Sequence, residues 1–271
     1  MRPSDTAYPR FKTRLTPAEL EQFYTPTDKE LAFCANATRL PTTQLGFVVL
    51  LKTFQRLGYF VLSNEVPEAI IEHIATVIKS RNDREGLRRY DQSEIRRNHL
   101  RLVRRFLDVK PFSTHGKTLL RTTLSEAALT KEDVADIVNV GIEILVRHRY
   151  ELPAFDTLVR EARAGRAATN QALYEQVQCA LGKTGTAFLD ALFVVGDDSR
   201  RVSPWHDLKQ DPAKPTVYGM RDLLVRFDQL TTLSSYNAVL KTIPVVKVSQ
   251  WALVLAGLKS RGKSVKKYGA E

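Results

Sequence analysis

SEIRRNHLRLVRRFLD, residues Ser93 to Asp108, is the stretch from which the rest of this chain is best read. Wound at helical pitch, Ile95, Leu102 and Phe106 fall on one side, with His99 beside them. Arg97, Arg101, Arg104 and Arg105 fall on the other. Such a helix sets its apolar back into a folded domain and turns fixed positive charge outward. Two readings are open: a solvated charged face, as most charge runs are, or a cationic front for a polyanion. The surroundings decide between them.

The chain has 271 residues, 41 Lys+Arg against 30 Asp+Glu, and a formal net charge of +11. An apolar fraction of 43% is ordinary for a globular protein, so a core can be buried. The charge is unevenly spread. Residues 1–80 are near balance, with nine basic and eight acidic groups. Residues 81–121 carry twelve basic against five acidic, and residues 199–271 thirteen against five. Residues 122–198 are acidic, seven against twelve. Clustered positive charge, more than the total, is the electrostatic footprint of nucleic-acid binding.

Helix signals run along the whole chain. Thr16-Pro17-Ala18-Glu19 is a capping box with proline at the first helical position, and Thr27 with Glu30 repeats the box. Pro41 precedes a helix that Gly58 ends, and Pro67 opens EAIIEHIATVIK. Only YFVL, Tyr59 to Leu62, could be extended. Ser80 to Gln92 reads as a polar, basic linker, followed by the arginine helix. A further helix starts beyond Pro111, and Val134, Ile137, Val138, Ile142 and Leu145 form a clear stripe on the next. Residues 154–166, 170–181, 184–195, 217–231 and 247–259 are helical patterns too. The expected fold is all-α: domains at 1–80 and 81–198, then a linker and helical segment at 199–271.

Asp133 to Arg166 reads as helix, tight turn with proline, helix. That is the outline of a helix-turn-helix, and equally of an ordinary helical hairpin. In the first reading Asp156, Thr157, Arg160 and Arg163 face outward, with Arg166 near the end, and Leu158 and Val159 face inward. Arg147, His148 and Arg149 close the preceding helix, where they also complement its dipole. Tyr90, beside Arg88 and Arg89, is the aromatic placed to touch nucleic acid. Phe47, Phe54, Phe106, Phe188 and Phe193 fall on apolar helix faces and read as core.

Catalytic signals are poor. GLKSRGKS, Gly257 to Ser264, matches a phosphate-loop pattern, but no βαβ pattern surrounds it. Gly182-Lys183-Thr184 reads as a helix boundary. His73, His99, His115, His148 and His206 show no metal spacing, and Asp197, Asp198, Asp207 and Asp211 read as caps and turns. His99 is expected on the inner face of the arginine helix. Cys34 and Cys179 make no disulfide framework and read as small core residues. No signal core or membrane span is present, so a cytoplasmic location is expected. The expectation is a region with no catalytic residue, cofactor or metal.

The ordered set of motifs resembles the N-terminal region of Tn-three family transposases. The matching pieces are FKTRLTPAELEQFYTPTDKELAF, LGFVVLLKTFQRLGYFV, VPEAIIEHIA, IRRNHLRLVRRFLDVKPFS, IEILVRHRYELPAFDTLVREARA and SPWHDLKQDPAKPTVYGMRDLLVRFDQL. They cover about residues 10–245. The resemblance implies two consecutive small helical DNA-binding domains and a further helical region, which together bind transposon terminal inverted repeats. It places an Asp-Asp-Glu catalytic centre in a later RNase-H-like domain, so no catalytic residue carries over. Past about Ala256 the chain departs from the family's continuation, so the resemblance implies no role for Lys259 to Lys267.

These readings converge on sequence-specific binding of double-stranded DNA at transposon ends by a non-catalytic part of a replicative transposase. Full-length transposase or another copy of the chain are further partners. The DNA-contacting set is Arg88, Arg89, Arg96, Arg97, Arg101, Arg104, Arg105, Arg147, Arg149, Thr157, Arg160, Arg163 and Arg166. Within it Arg97, Arg101 and Arg104 grip phosphates, while Thr157, Arg160 and Arg163 read base edges. The alternatives are a general RNA or nonspecific DNA binder, and a helical interaction module that binds no nucleic acid.

Overall fold

The computed structural model describes residues 1–38, 40–194, 203–211 and 215–253. Among them there is no strand, and the fold is all-α. Asp197, Asp198 and the GLKSRGKS segment lie outside the described residues. Twelve named helices follow in order: α1 Pro17–Tyr24, α2 Asp28–Ala37, α3 Pro41–Leu57, α4 Glu68–Val77, α5 Arg84–Asp91 and α6 Glu94–Leu107, then α7 Thr114–Thr130, α8 Val134–Arg147, α9 Phe155–Phe193, α10 Pro204–Asp207, α11 Val217–Ser235 and α12 Asn237–Leu240. Residues 245–253 are helical as well.

The chain divides into two compact units. One comprises Met1–Ala127 with Asp133–Gly165, and the other Ala128–Glu132 with Arg166–Glu271.

In the first unit α3 is the central helix. Its sequence is apolar nearly all round, so it is buried on every side. Around it pack α1, α2, α4, α5 and α6. Leu45, Phe47, Val48, Leu51 and Leu57 fill its length, and Ile70, Ile71 and Ile74 of α4 and Val103 of α6 close on them. Both early capping boxes form as the sequence requires, Thr16 with Glu19 and Thr27 with Glu30. Gly58 ends α3 in the left-handed conformation at φ 73°.

Three expectations are corrected. Ser80 to Gln92 is not simply a linker, because Arg84–Asp91 is helical. The Asp83 side chain accepts from the Gly86 amide at 2.9 Å and starts the helix. Its apolar face is only Leu87 and Tyr90, too narrow to stand out among REGLRRYD, yet both are buried against α3. Gly46 of α3 makes the room: a Cβ there would lie 2.6 Å from the Tyr90 ring. The second correction is Cys179, which is exposed, whereas Cys34 is core.

In the same unit α7, α8 and the start of α9 pack through Leu120, Leu124, Ile137, Val138, Ile142, Leu145, Leu158 and Ala162. A Cβ on Gly141 would lie 2.8 Å from Leu120. The α8–α9 turn is tied to distant chain. Lys110 and Tyr150 form an isolated bridge, Glu151 N donates to Lys110 O at 2.9 Å, and Leu152 N donates to Gly58 O at 2.8 Å.

In the second unit the helix at 245–253 buries Lys247 completely and pairs it with Glu132. Trp251 lies 5.1 Å from the Tyr174 ring. α9 turns sharply at Gly182, whose φ of 63° only glycine tolerates cheaply, matching the expected helix boundary. The third correction is Phe193, which was expected as core and is exposed.

Candidate nucleic-acid interface

The arginine helix begins where the Ser93 hydroxyl accepts from the Arg96 amide and ends at Asp108 in the left-handed conformation. His99 and Val103, four residues apart, are its buried anchors, with Leu102 and Phe106 half-buried beside them. Ile95, expected on that face, is exposed. The His99 ring stacks on Phe47 at 3.9 Å, and its Nδ1 pairs with the Tyr90 hydroxyl at 2.9 Å. Burial holds the imidazole down at about 4 and pushes the Tyr90 phenol up, so both are neutral at pH 7. Tyr90 is therefore a core residue: 6% exposed, it cannot stack on a base.

With the back of the helix fixed, Arg97, Arg101 and Arg105 stand exposed on the front, each four residues from the next. They cover about 12 Å of axis, the rise of three or four phosphates on one duplex strand. Arg97 pairs with Glu94 on the same helix. Among the described residues Arg101 and Arg105 have no ion-pair partner, nor does exposed Arg88 of α5. Arg89 pairs with Glu85 at 3.0 Å. These exposed pairs are worth little and yield readily to a stronger anion.

Other arginines of the expected set are held by the protein. Arg96 donates to the Val61 carbonyl at 2.8 Å and faces Asp91. Arg104 binds Glu151 through Nε at 2.9 Å and covers the Phe60 ring. Glu151 also accepts from the Phe112 amide at 2.9 Å, joining α6, the α7 approach and the α8–α9 turn. Arg149, itself left-handed at φ 56°, donates to the Leu107 and Asp108 carbonyls and caps α6. Arg166 donates to the Glu132 carbonyl at 3.0 Å. Their positions in sequence looked equivalent to those of the free arginines; only long-range partners separate them.

At the helix-turn-helix candidate, Leu158 and Val159 face inward as expected. Asp156, Arg160 and Arg163 are exposed, and Thr157 is half-buried. Arg160 has a carboxylate only at 4.0 Å, that of buried Glu161, which Arg121 holds at 2.7 Å. Arg163 has no ion-pair partner among the described residues. Exposed Arg147 pairs with Glu143 one turn back. The candidate second helix is the part of α9 that precedes its sharp turn at Gly182.

The sequence reading missed one basic cluster. Arg10 and Lys12 from the N-terminal segment meet Arg56 at the end of α3, lining a cleft of about 610 Å³. These cations come from residues 1–80, whose charge is near balance, so composition gave no signal. Among the described residues there is no group of His, Cys, Asp and Glu that could hold a metal ion, and no helix long and apolar enough to cross a membrane.

Comparison with known proteins adds two findings. A family model described as a domain of unknown function, DUF4158, matches residues 4–164, nearly the extent of the first compact unit. The transposase for transposon Tn1546 of Enterococcus faecium is 22% identical over 216 residues, covering 78% of this chain. That stretch is 21% of the relative, so the chain spans about a fifth of the length of the curated relative it matches.

Proposed function

This chain belongs to the DUF4158 family, and from that footing we propose that it is a DNA-binding part of a transposition system. It holds double-stranded DNA at transposon terminal repeats and contributes no catalytic residue. The observation that carries this reading is the exposed row Arg97, Arg101 and Arg105 on a helix fixed from behind by His99 and Val103. Preorganised cations lose little entropy when they meet phosphates, and the counterions released favour binding. The likeness to a transposase supports DNA as the polyanion.

In this reading Arg88, Arg97, Arg101 and Arg105 grip the backbone and set register. Thr157, Arg160 and Arg163, on the first turns of α9, meet base edges. Arg96, Arg104 and Arg149 shape the surface without touching DNA. The helix-turn-helix assignment of α8 and α9 belongs to this proposal.

Selection of bound duplexes from a random pool, followed by salt titration on the enriched duplex and a scrambled one, tests it. Arg101→Ala should lower affinity for both and flatten the slope of log K against log salt by about one. Arg160→Ala should relax preference at one position, at about 1–3 kcal/mol of discrimination. Equal wild-type binding to both duplexes sinks sequence specificity; no salt-dependent binding to either sinks the whole proposal.

A further inference from the structure

The N-terminal segment is pinned across the first unit. The Ala7 amide donates to Asn139 Oδ1 on α8 at 2.7 Å. The Tyr8 hydroxyl donates to the Pro153 carbonyl in the α8–α9 turn at 3.0 Å. The Tyr8 ring stacks on Tyr59 at 4.9 Å and meets Phe155, the first residue of α9, edge-on at 5.3 Å. Tyr59 in turn donates to the Pro9 carbonyl at 3.1 Å. These five contacts fix residues 7–9 beside the start of the α9 helix, where the exposed face of Arg160 and Arg163 begins.

Beyond that anchor the chain turns cationic. Arg10, Phe11, Lys12 and Thr13 line the cleft of about 610 Å³ with Arg56, and exposed Arg14 follows. Lys12 is answered by Glu19, whose carboxyl it holds down at about 2. Arg10, Arg14 and Arg56 have no ion-pair partner among the described residues; Arg56 rests on the Phe23 ring at 4.7 Å. The segment therefore adds two uncompensated cations, Arg10 and Arg14, to Arg56 of α3, with Arg10 and Arg56 edging one cleft. An open cleft edged by guanidinium groups suits a chain of phosphates better than a single enclosed anion.

We propose that residues 7–14 are an anchored arm whose Arg10 and Arg14, with Arg56, bind the DNA backbone flanking the groove that α9 enters. The inference rests on the DNA-binding reading and extends it. The arm supplies phosphate contacts that the α5–α6 face does not, so the bound site is longer than either element spans alone.

The test uses the full chain and the duplex enriched from a random pool, with a scrambled duplex beside it. Arg10→Ala with Arg14→Ala should lower the salt slope by about two and leave sequence preference intact. Hydroxyl-radical protection should disappear at one edge of the bound site and persist elsewhere. Both side chains are exposed, so thermal melting should match the wild type; Arg56→Gln, which keeps the stem on Phe23, should give a further loss of about one in slope. Inorganic phosphate at constant ionic strength should not compete. If wild type binds duplex and the variants keep its slope and footprint, the arm is overturned while the DNA-binding reading stands. If the variants lose sequence preference at constant slope, the arm reads bases and the backbone role is wrong. If wild type binds no duplex, both fall.

Discussion

His99 makes folding of the arginine helix depend on pH in a calculable way. Its ring is 2% exposed, stacked on Phe47 and bonded to Tyr90, and burial lowers its pKa from 6.5 to about 4. The unfolded chain binds the proton more tightly than the folded one, so stability is fully present above the unfolded value. It is lost as pH falls from 6.5 towards 4, and the full shift corresponds to about 3 kcal/mol. Between pH 7 and pH 5 the loss is about 2 kcal/mol, a large share of a domain's usual stability. The carboxylates held below their ordinary range, such as Glu30 and Glu161, contribute their own pH dependence only at lower pH. Urea unfolding at pH 7 and pH 5, on wild type and His99→Gln, isolates the effect because every other histidine is common to both. Wild type should lose about 1 M more in midpoint than the variant. Parallel losses in the two proteins, or an NMR titration of His99 with a midpoint above 6, would refute the reasoning.

Other expected outcomes follow from close packing and from ties across the chain. Gly46→Ala drives a methyl into the Tyr90 ring, and should cost about 1–3 kcal/mol in chemical unfolding. Glu151→Ala strips Arg104 and the Phe112 amide of their acceptor together; a stability loss of about 2 kcal/mol is expected, with weakened DNA binding through a loosened α6. Ser93→Ala removes the α6 cap and should cost about 1 kcal/mol, readable as a shift in melting temperature. Lys247→Met should be tolerated, whereas Glu132→Ala leaves the buried ammonium unpaired and should cost about 3–5 kcal/mol.

The all-α fold and most helix boundaries were legible because their causes are local. Capping boxes at Thr16 and Thr27, Gly58 after α3, and the α8 stripe each act within a few residues. Helix α5 escaped because its buried face is two side chains wide, and its stability comes from a space at Gly46, forty residues away. The same distinction divides the arginines. Composition marked residues 81–121 as basic, and spacing put Arg97, Arg101, Arg104 and Arg105 on one helix face, from which the structure removes Arg104 by binding it to Glu151.

What the sequence could not rank was which cations are spent inside the protein. Arg96, Arg104 and Arg149 are bound by Val61, Glu151 and the Leu107 carbonyl, partners 35 to 47 positions away. The near-neutral first eighty residues hid Arg10 and Arg56 for the opposite reason: their balancing acids lie elsewhere in space. The sequence by itself determined helix content, caps and where positive charge is concentrated, since these depend on near neighbours and totals. The tertiary structure alone decided which arginines are free, that Tyr90 is core, and that the N-terminal segment lies against the α8–α9 turn. Those depend on contacts between residues far apart in the chain, which no local pattern records.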